Sequence, residues 1–227
     1  MGRRSVRGGL LPLAMSGALF LGTTGCGGDG ADDGLPDDYK VVSATQLCGG
    51  RAVTAEASKA LKVITGSSRF EASGERNSVQ EAALRLAEAA PLATRTEDVC
   101  LIFTPMNTRH FELGITWQVA DDAPSGPSAP EFTELKMGEL AVTAPNKSYV
   151  FFACKSDKLL GPSSAVHIVI GVRPGGMPTE PEGDDGELKA LKDAYATVAH
   201  SFSLAMAKEL GCADNGGLPA RPVLLPA

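Results

Sequence analysis

Two hydrophobic periodicities in succession constrain this chain most: strand patterning between residues 99 and 174, then helical spacing from 187 to 212. FELGITWQVAD (111–121) alternates cleanly, with Phe111, Leu113, Ile115, Trp117 and Val119 on one side and Glu112, Thr116 and Gln118 on the other. VCLIFTP (99–105) is a continuous apolar run ended by proline, which predicts a buried strand. GELAVTAPNKSYVFFACKS predicts two strands joined through Ala144-Pro145-Asn146-Lys147, and SAVHIVIGVRP places Val166, Ile168, Ile170 and Val172 on one face. The closing stretch ELKALKDAYATVAHSFSLAMAKELGC repeats Leu188, Leu191, Tyr195, Val198, Phe202, Ala205 and Leu210 at intervals of three and four, and Gly211 stops it.

Two shorter helices precede the strands. Thr54 is the expected N-cap of the first, Ala57, Leu61 and Ile64 share its apolar face, and Gly66 suits its C-terminal turn. Ser78-Val79-Gln80-Glu81 has the S-x-x-E form of a capping box and opens a second helix, with Val79, Ala83, Leu86 and Ala90 on its face and Pro91 at its end. Val41 and Val42 can begin a short strand, broken by Gly49-Gly50. Residues 121–132 and 174–186 are too rich in Pro, Ser and Gly to be anything but loops. Helices, then about five strands, then a long helix predict an α+β fold: an antiparallel sheet covered by helices, in one domain spanning 41–212. DNGGLPARPVLLPA, 213–227, reads as a flexible tail.

The N-terminus carries an address. MGRRSVRGG holds Arg3, Arg4 and Arg7 and no acid, and LLPLAMSGALFLG is then apolar or small throughout, as in an export signal. The run is short of the ~20 residues that cross a bilayer. Ordinary secretion fits better than twin-arginine export, because Arg7 stands where an apolar residue is wanted. Thr23-Thr24-Gly25-Cys26 resembles a bacterial lipobox, except that Thr23 takes the place usually held by Leu. Lipidation of Cys26 is therefore expected, with residues 1–25 removed as a signal peptide. An unlipidated cut at the same small residues is the alternative, and would give a secreted protein. Residues 26–40 then form an acidic tether: Asp29, Asp32, Asp33, Asp37 and Asp38 are set among glycines and have too little apolar surface to fold. Their spacing lacks the order of a calcium loop.

Cysteine arithmetic agrees with this address. Five cysteines are an odd number for an oxidising compartment, and setting Cys26 aside leaves Cys48, Cys100, Cys154 and Cys212. Four cysteines allow three pairings. We favour Cys48–Cys212, since both lie at element ends where the backbone can adjust, with Cys100–Cys154 joining two strands.

Charge removes some function classes. Residues 1–25 hold three of the 21 basic residues and none of the 27 acids, so their loss takes the formal charge from −6 to −9. Such a chain has no electrostatic footprint for nucleic acid. It is repelled by anionic membrane surfaces and needs a covalent anchor to stay on one.

Catalytic motifs do not assemble. The chain lacks G-x-S-x-G, H-E-x-x-H, a phosphate-binding P-loop and a dinucleotide fingerprint, so no cofactor is expected. His110, His167 and His200 lack metal-type spacing. Asp121-Asp122 and Asp184-Asp185 sit in loops. Trp117 belongs to a strongly alternating row and is expected in the core. Arg173, at a strand end beside Pro174-Gly175-Gly176, is the one residue that suggests ligand binding, because a fixed guanidinium can hold a carboxylate. A surface cation closing a strand is the plainer reading.

The lipobox-like start, the LCGG opening before a small-residue helix ending ITGSSRF, and the closing AMAKELGC together resemble small cell-envelope lipoproteins of actinobacteria. The resemblance implies a domain anchored on the outer face of the cell membrane and supplies no activity. The expectation is a non-catalytic binding module with the membrane as one partner and an envelope protein or small ligand as another. An envelope hydrolase whose site forms only in the fold is the alternative.

Overall fold

Capping fixes the helix ends where the sequence sets them. The structure is a computed structural model that describes residues 39–74, 76–89, 96–122, 124–159, 165–176 and 180–227. The export signal, Cys26 and the acidic tether up to Asp38 lie outside these residues, as does Pro91. Helix α1 (Ala55–Thr65) begins at Thr54, whose side chain accepts from Ala57 N, and ends at Gly66 in the left-handed conformation. Helix α2 (Val79–Ala89) begins with Ser78 Oγ accepting from Glu81 N at 3.2 Å. Helix α3 (Asp185–Leu210) starts two residues earlier than its apolar pattern. Asp184 and Glu187 each accept the other's backbone N–H in a full capping box, and Gly211 closes the far end.

The strands form an antiparallel sheet, as expected, with one more strand than the sequence predicts. Strands β1 (Val41–Ser43) and β2 (Arg69–Glu71) make a separate two-stranded ribbon. The main sheet contains β3 (Glu97–Phe103), β4 (Glu112–Ala120), β5 (Thr133–Leu135), β6 (Leu140–Ala144), β7 (Lys147–Cys154) and β8 (Val166–Pro174), in the order β3-β4-β8-β7-β6-β5. The strand added to the main sheet is β5; β2 of the ribbon is likewise unpredicted, and both are three residues long, too short to show a period. The β6–β7 connection is tighter than expected: Ala144 pairs with Lys147, leaving only Pro145 and Asn146 in the loop. Proline fixes φ near −65°, which excludes the primed turns that most two-residue hairpins use.

Register lines the core up across three strands. Trp117 of β4 pairs with Ile170 of β8, which pairs in turn with Val150 of β7, and all three are fully buried. Burying each such side chain stabilises the fold by about 1.5–3 kcal/mol.

Helix α3 packs on β6, β7 and β8, and also against α1 and α2. Every residue from Ala194 to Ala207 is buried, so this stretch of the helix is enclosed on all sides, while residues 185–193 reach the surface. Its small residues permit that close approach, and its hydroxyls find partners. Thr197 and Ser203 donate to the carbonyls four residues back, of Asp193 and Ala199, while Ser201 donates to Ala52 O and accepts from Thr54 N.

Two expectations are corrected. The disulfides are Cys48–Cys100 and Cys154–Cys212, with Cα–Cα distances of 5.8 and 4.9 Å, and not Cys48–Cys212 with Cys100–Cys154. Strand order gives the reason. Cys100 on β3 and Cys154 on β7 have β4 and β8 between them, three strand spacings or roughly 14 Å, well beyond a disulfide's reach.

The segment after Cys212 is folded, where a flexible tail is expected. It makes a left-handed turn at Asp214, Asn215 and Gly216 and buries Leu218. It then returns to the sheet edge, where Pro226 bridges Leu135 and Ala227 N donates to Glu134 O at 2.9 Å.

Candidate functional site

The helices lie on one side of the main sheet, and among the described residues none packs on the other. That open face carries the alternate row of each strand: Thr116 and Gln118 from β4, Val169, Gly171 and Arg173 from β8, and Tyr149 from β7. These residues border a shallow cavity of about 450 Å³.

Its floor is a glycine. Gly171 pairs with Thr116 on one neighbouring strand and with Tyr149 on the other. A Cβ there would stand 2.8 Å from Thr116 Oγ1 and 3.0 Å from Tyr149 Cε1. Both side chains therefore lean over the strand into space that only glycine leaves free. Tyr149 is held further by an edge-on contact with Phe132, ring centroids 6.1 Å apart. Lys147 Nζ sits 4.9 Å over the Phe132 ring and 3.8 Å from Glu131 Oε1, which sets its ammonium at the rim. Thr96 Oγ1 donates to Gln118 Oε1 at 3.1 Å and so orients that amide. Arg173 is exposed at the strand end, and its guanidinium has no ion pair or hydrogen bond among the described residues.

Two further cavities are formed by described residues. One of about 490 Å³ lies between the start of α3 and the β5–β6 edge, with Leu188 and Leu224 in its walls. Its cations are already engaged: Lys189 Nζ bonds Asp193 Oδ2 at 2.6 Å and Lys192 Nζ bonds Thr133 Oγ1 at 3.2 Å. The other, about 450 Å³, brings Arg109, Phe111 and Leu191 together with Tyr195, whose phenol is pushed well above the ordinary value by burial.

The residues singled out from the sequence scatter. Arg173 lines the open-face cavity. His110 stacks against Phe103 at 6.2 Å, and His200 Nε2 meets Pro219 O at 2.8 Å inside the domain. His167 Nδ1 lies 2.8 Å from Glu139 Oε2 on the open face, and no hydroxyl hydrogen-bonds either residue among the described ones. Asp184 is the cap of α3 and Asp185 its first residue, so that acidic pair has a structural task. Asp121 and Asp122 are exposed beyond β4, and Trp117 is fully buried. Among the described residues no group of three or more His, Cys, Asp or Glu is placed to hold a metal, and no helix is long and apolar enough to cross a membrane.

Reasoning from sequence missed Thr116, Gln118, Tyr149 and Gly171 as one site. The available signal was a glycine interrupting the apolar run of IVIGVRP, a position that marks a bulge or a close approach.

The chain matches no protein-family model, and neither a curated protein nor a solved structure is significantly similar to it.

Proposed function

We propose that the protein is a lipid-anchored, extracytoplasmic binding module that engages its ligand on the open face of the sheet and carries out no catalysis. The observation that supports this most is the cavity over Gly171, where polar side chains from β4, β7 and β8 converge beside Arg173. Ligand sites favour such concavities with a few placed polar groups. The export signal, the lipobox-like Cys26 and the even set of remaining cysteines support the address: the outer face of the cell membrane, held by acyl chains on Cys26.

The hydrolase reading would rest on His167–Glu139, a pair able to orient an imidazole but with no bonded nucleophile among the described residues.

Two measurements test the proposal. Intact-mass analysis of native material should show residues 1–25 gone and Cys26 acylated; an unmodified Cys26 overturns the anchoring. A photo-crosslinking residue at Val169, on the open face, should capture a ligand or partner in intact cells. One at Val63, exposed on the outer side of α1, should not. Equal capture at both positions defeats the assignment of the binding face.

A further inference from the structure

We infer that the cavity over Gly171 takes an oxyanion: the carboxylate or phosphate of a small organic acid whose body rests on Tyr149. The inference rests on the open-face reading above and adds the chemical class of the ligand.

Thr116 is only 7% exposed, yet its hydroxyl makes no hydrogen bond to any described residue and faces the cavity. Gln118 accepts from Thr96 Oγ1 through its carbonyl oxygen, and its NH₂ group has no partner among the described residues. Arg173 presents five N–H donors that no described acceptor takes up, and the Tyr149 hydroxyl is likewise unpartnered. No carboxylate lines the cavity among the described residues, although the chain has a formal charge of −6. A concavity with surplus donors, one free guanidinium and no lining acid is complementary to an anion.

The geometry suits a small one. Arg173 sits at the mouth, where the guanidinium can meet a carboxylate or phosphate through two parallel hydrogen bonds. Thr116 on β4 supplies one donor from the side and Gln118 an NH₂ group with two. The Tyr149 ring, fixed by Gly171 beneath it and Phe132 at its edge, offers a flat apolar surface to the remainder of the molecule. A volume of about 450 Å³ is at the small end of organic-ligand sites. Lys147 contributes long-range attraction from the rim, tempered by its pairing with Glu131.

The test uses the full chain, purified in detergent from cells that export it, at about 0.15 M salt so that surface charge is screened. Succinate, inorganic phosphate and glucose are titrated separately, following the backbone amides of Gly171 and Gln118 by NMR. Saturable shifts with succinate or phosphate, weakened about tenfold or more by Arg173→Gln, are expected. Arg173→Lys should recover part of the affinity, since it restores charge without the planar fork. A favoured anion also says whether carboxylate or phosphate is the natural group. Because Arg173 is exposed, both variants should melt as the parent does, and that control is run alongside. The proposal is overturned if neither anion moves those amides, or if Arg173→Gln binds them unchanged. Shifts with glucose alone would also overturn the anion class while leaving the open-face reading intact. That reading fails separately, in the crosslinking comparison of Val169 with Val63.

Discussion

The ring of Tyr149 lies across Gly171, its cross-strand partner, so closely that a methyl group on the glycine would stand 3.0 Å from Cε1. Thr116 crowds the same point from the opposite strand at 2.8 Å. Gly171→Ala should therefore lower stability by about 1–3 kcal/mol through overpacking. Part of that loss should vanish in a Tyr149→Ala background, because one of the two colliding groups is gone. A double-mutant cycle in denaturant unfolding reads the coupling; strict additivity would show that the ring does not rest on the glycine.

The disulfides give a second expectation. Digestion under non-reducing conditions should yield peptides linking Cys48 to Cys100 and Cys154 to Cys212, and no other pair. Cys154–Cys212 spans 58 positions, so replacing both residues by Ala should cost about 4 kcal/mol on chain-entropy grounds. The shift in urea midpoint measures it.

Trp117 separates two contributions to core stability. Its ring is fully buried, and its indole N–H has no hydrogen-bond partner among the described residues. Trp117→Ala should cost about 3–5 kcal/mol through loss of contacts and the cavity left behind. Trp117→Phe removes the unsatisfied donor, a relief of about 1–3 kcal/mol that offsets much of the smaller ring's deficit. The phenylalanine variant should therefore lie within about 1.5 kcal/mol of the parent, and chemical denaturation of the pair checks the gap.

His200 should make stability depend on pH. Burial holds its imidazole below the ordinary histidine value; the hydrogen bond to Pro219 O acts in the opposite sense, and Lys208 adds a smaller downward push. The unfolded chain then takes up a proton that the folded chain refuses. Its contribution is complete above pH ~6.5 and is lost as pH falls through the histidine range. His200→Gln should flatten the decline in unfolding free energy between pH 7 and pH 5. An unchanged slope would assign the decline to other groups.

Local chemistry made most elements legible in advance. Thr54, Ser78 and the glycines at 66 and 211 start or stop helices through contacts with their own backbone, so their effect can be read without a fold. The rows of β4 and β8 were legible because a half-buried strand must alternate. Strand order was not, since nothing in a strand names its neighbour, and the cysteine pairing inherited that gap. The tail misled for a similar reason: its glycines and prolines look loose, yet Gly216 is the residue whose missing side chain lets the turn press against Phe152. Arg173 could be singled out as a lone cation at a strand end, whereas its companions come from strands up to about 60 residues away and meet only through register.

The order of the bridges has a consequence for biogenesis. Cys48 joins the next cysteine along the chain, Cys100, and Cys154 joins the next after it, Cys212. The two closed loops follow one another and never interlock. Among these four cysteines, a polypeptide oxidised from its N-terminal side thus offers Cys48 its native partner Cys100 before either other thiol, and leaves Cys154 only Cys212.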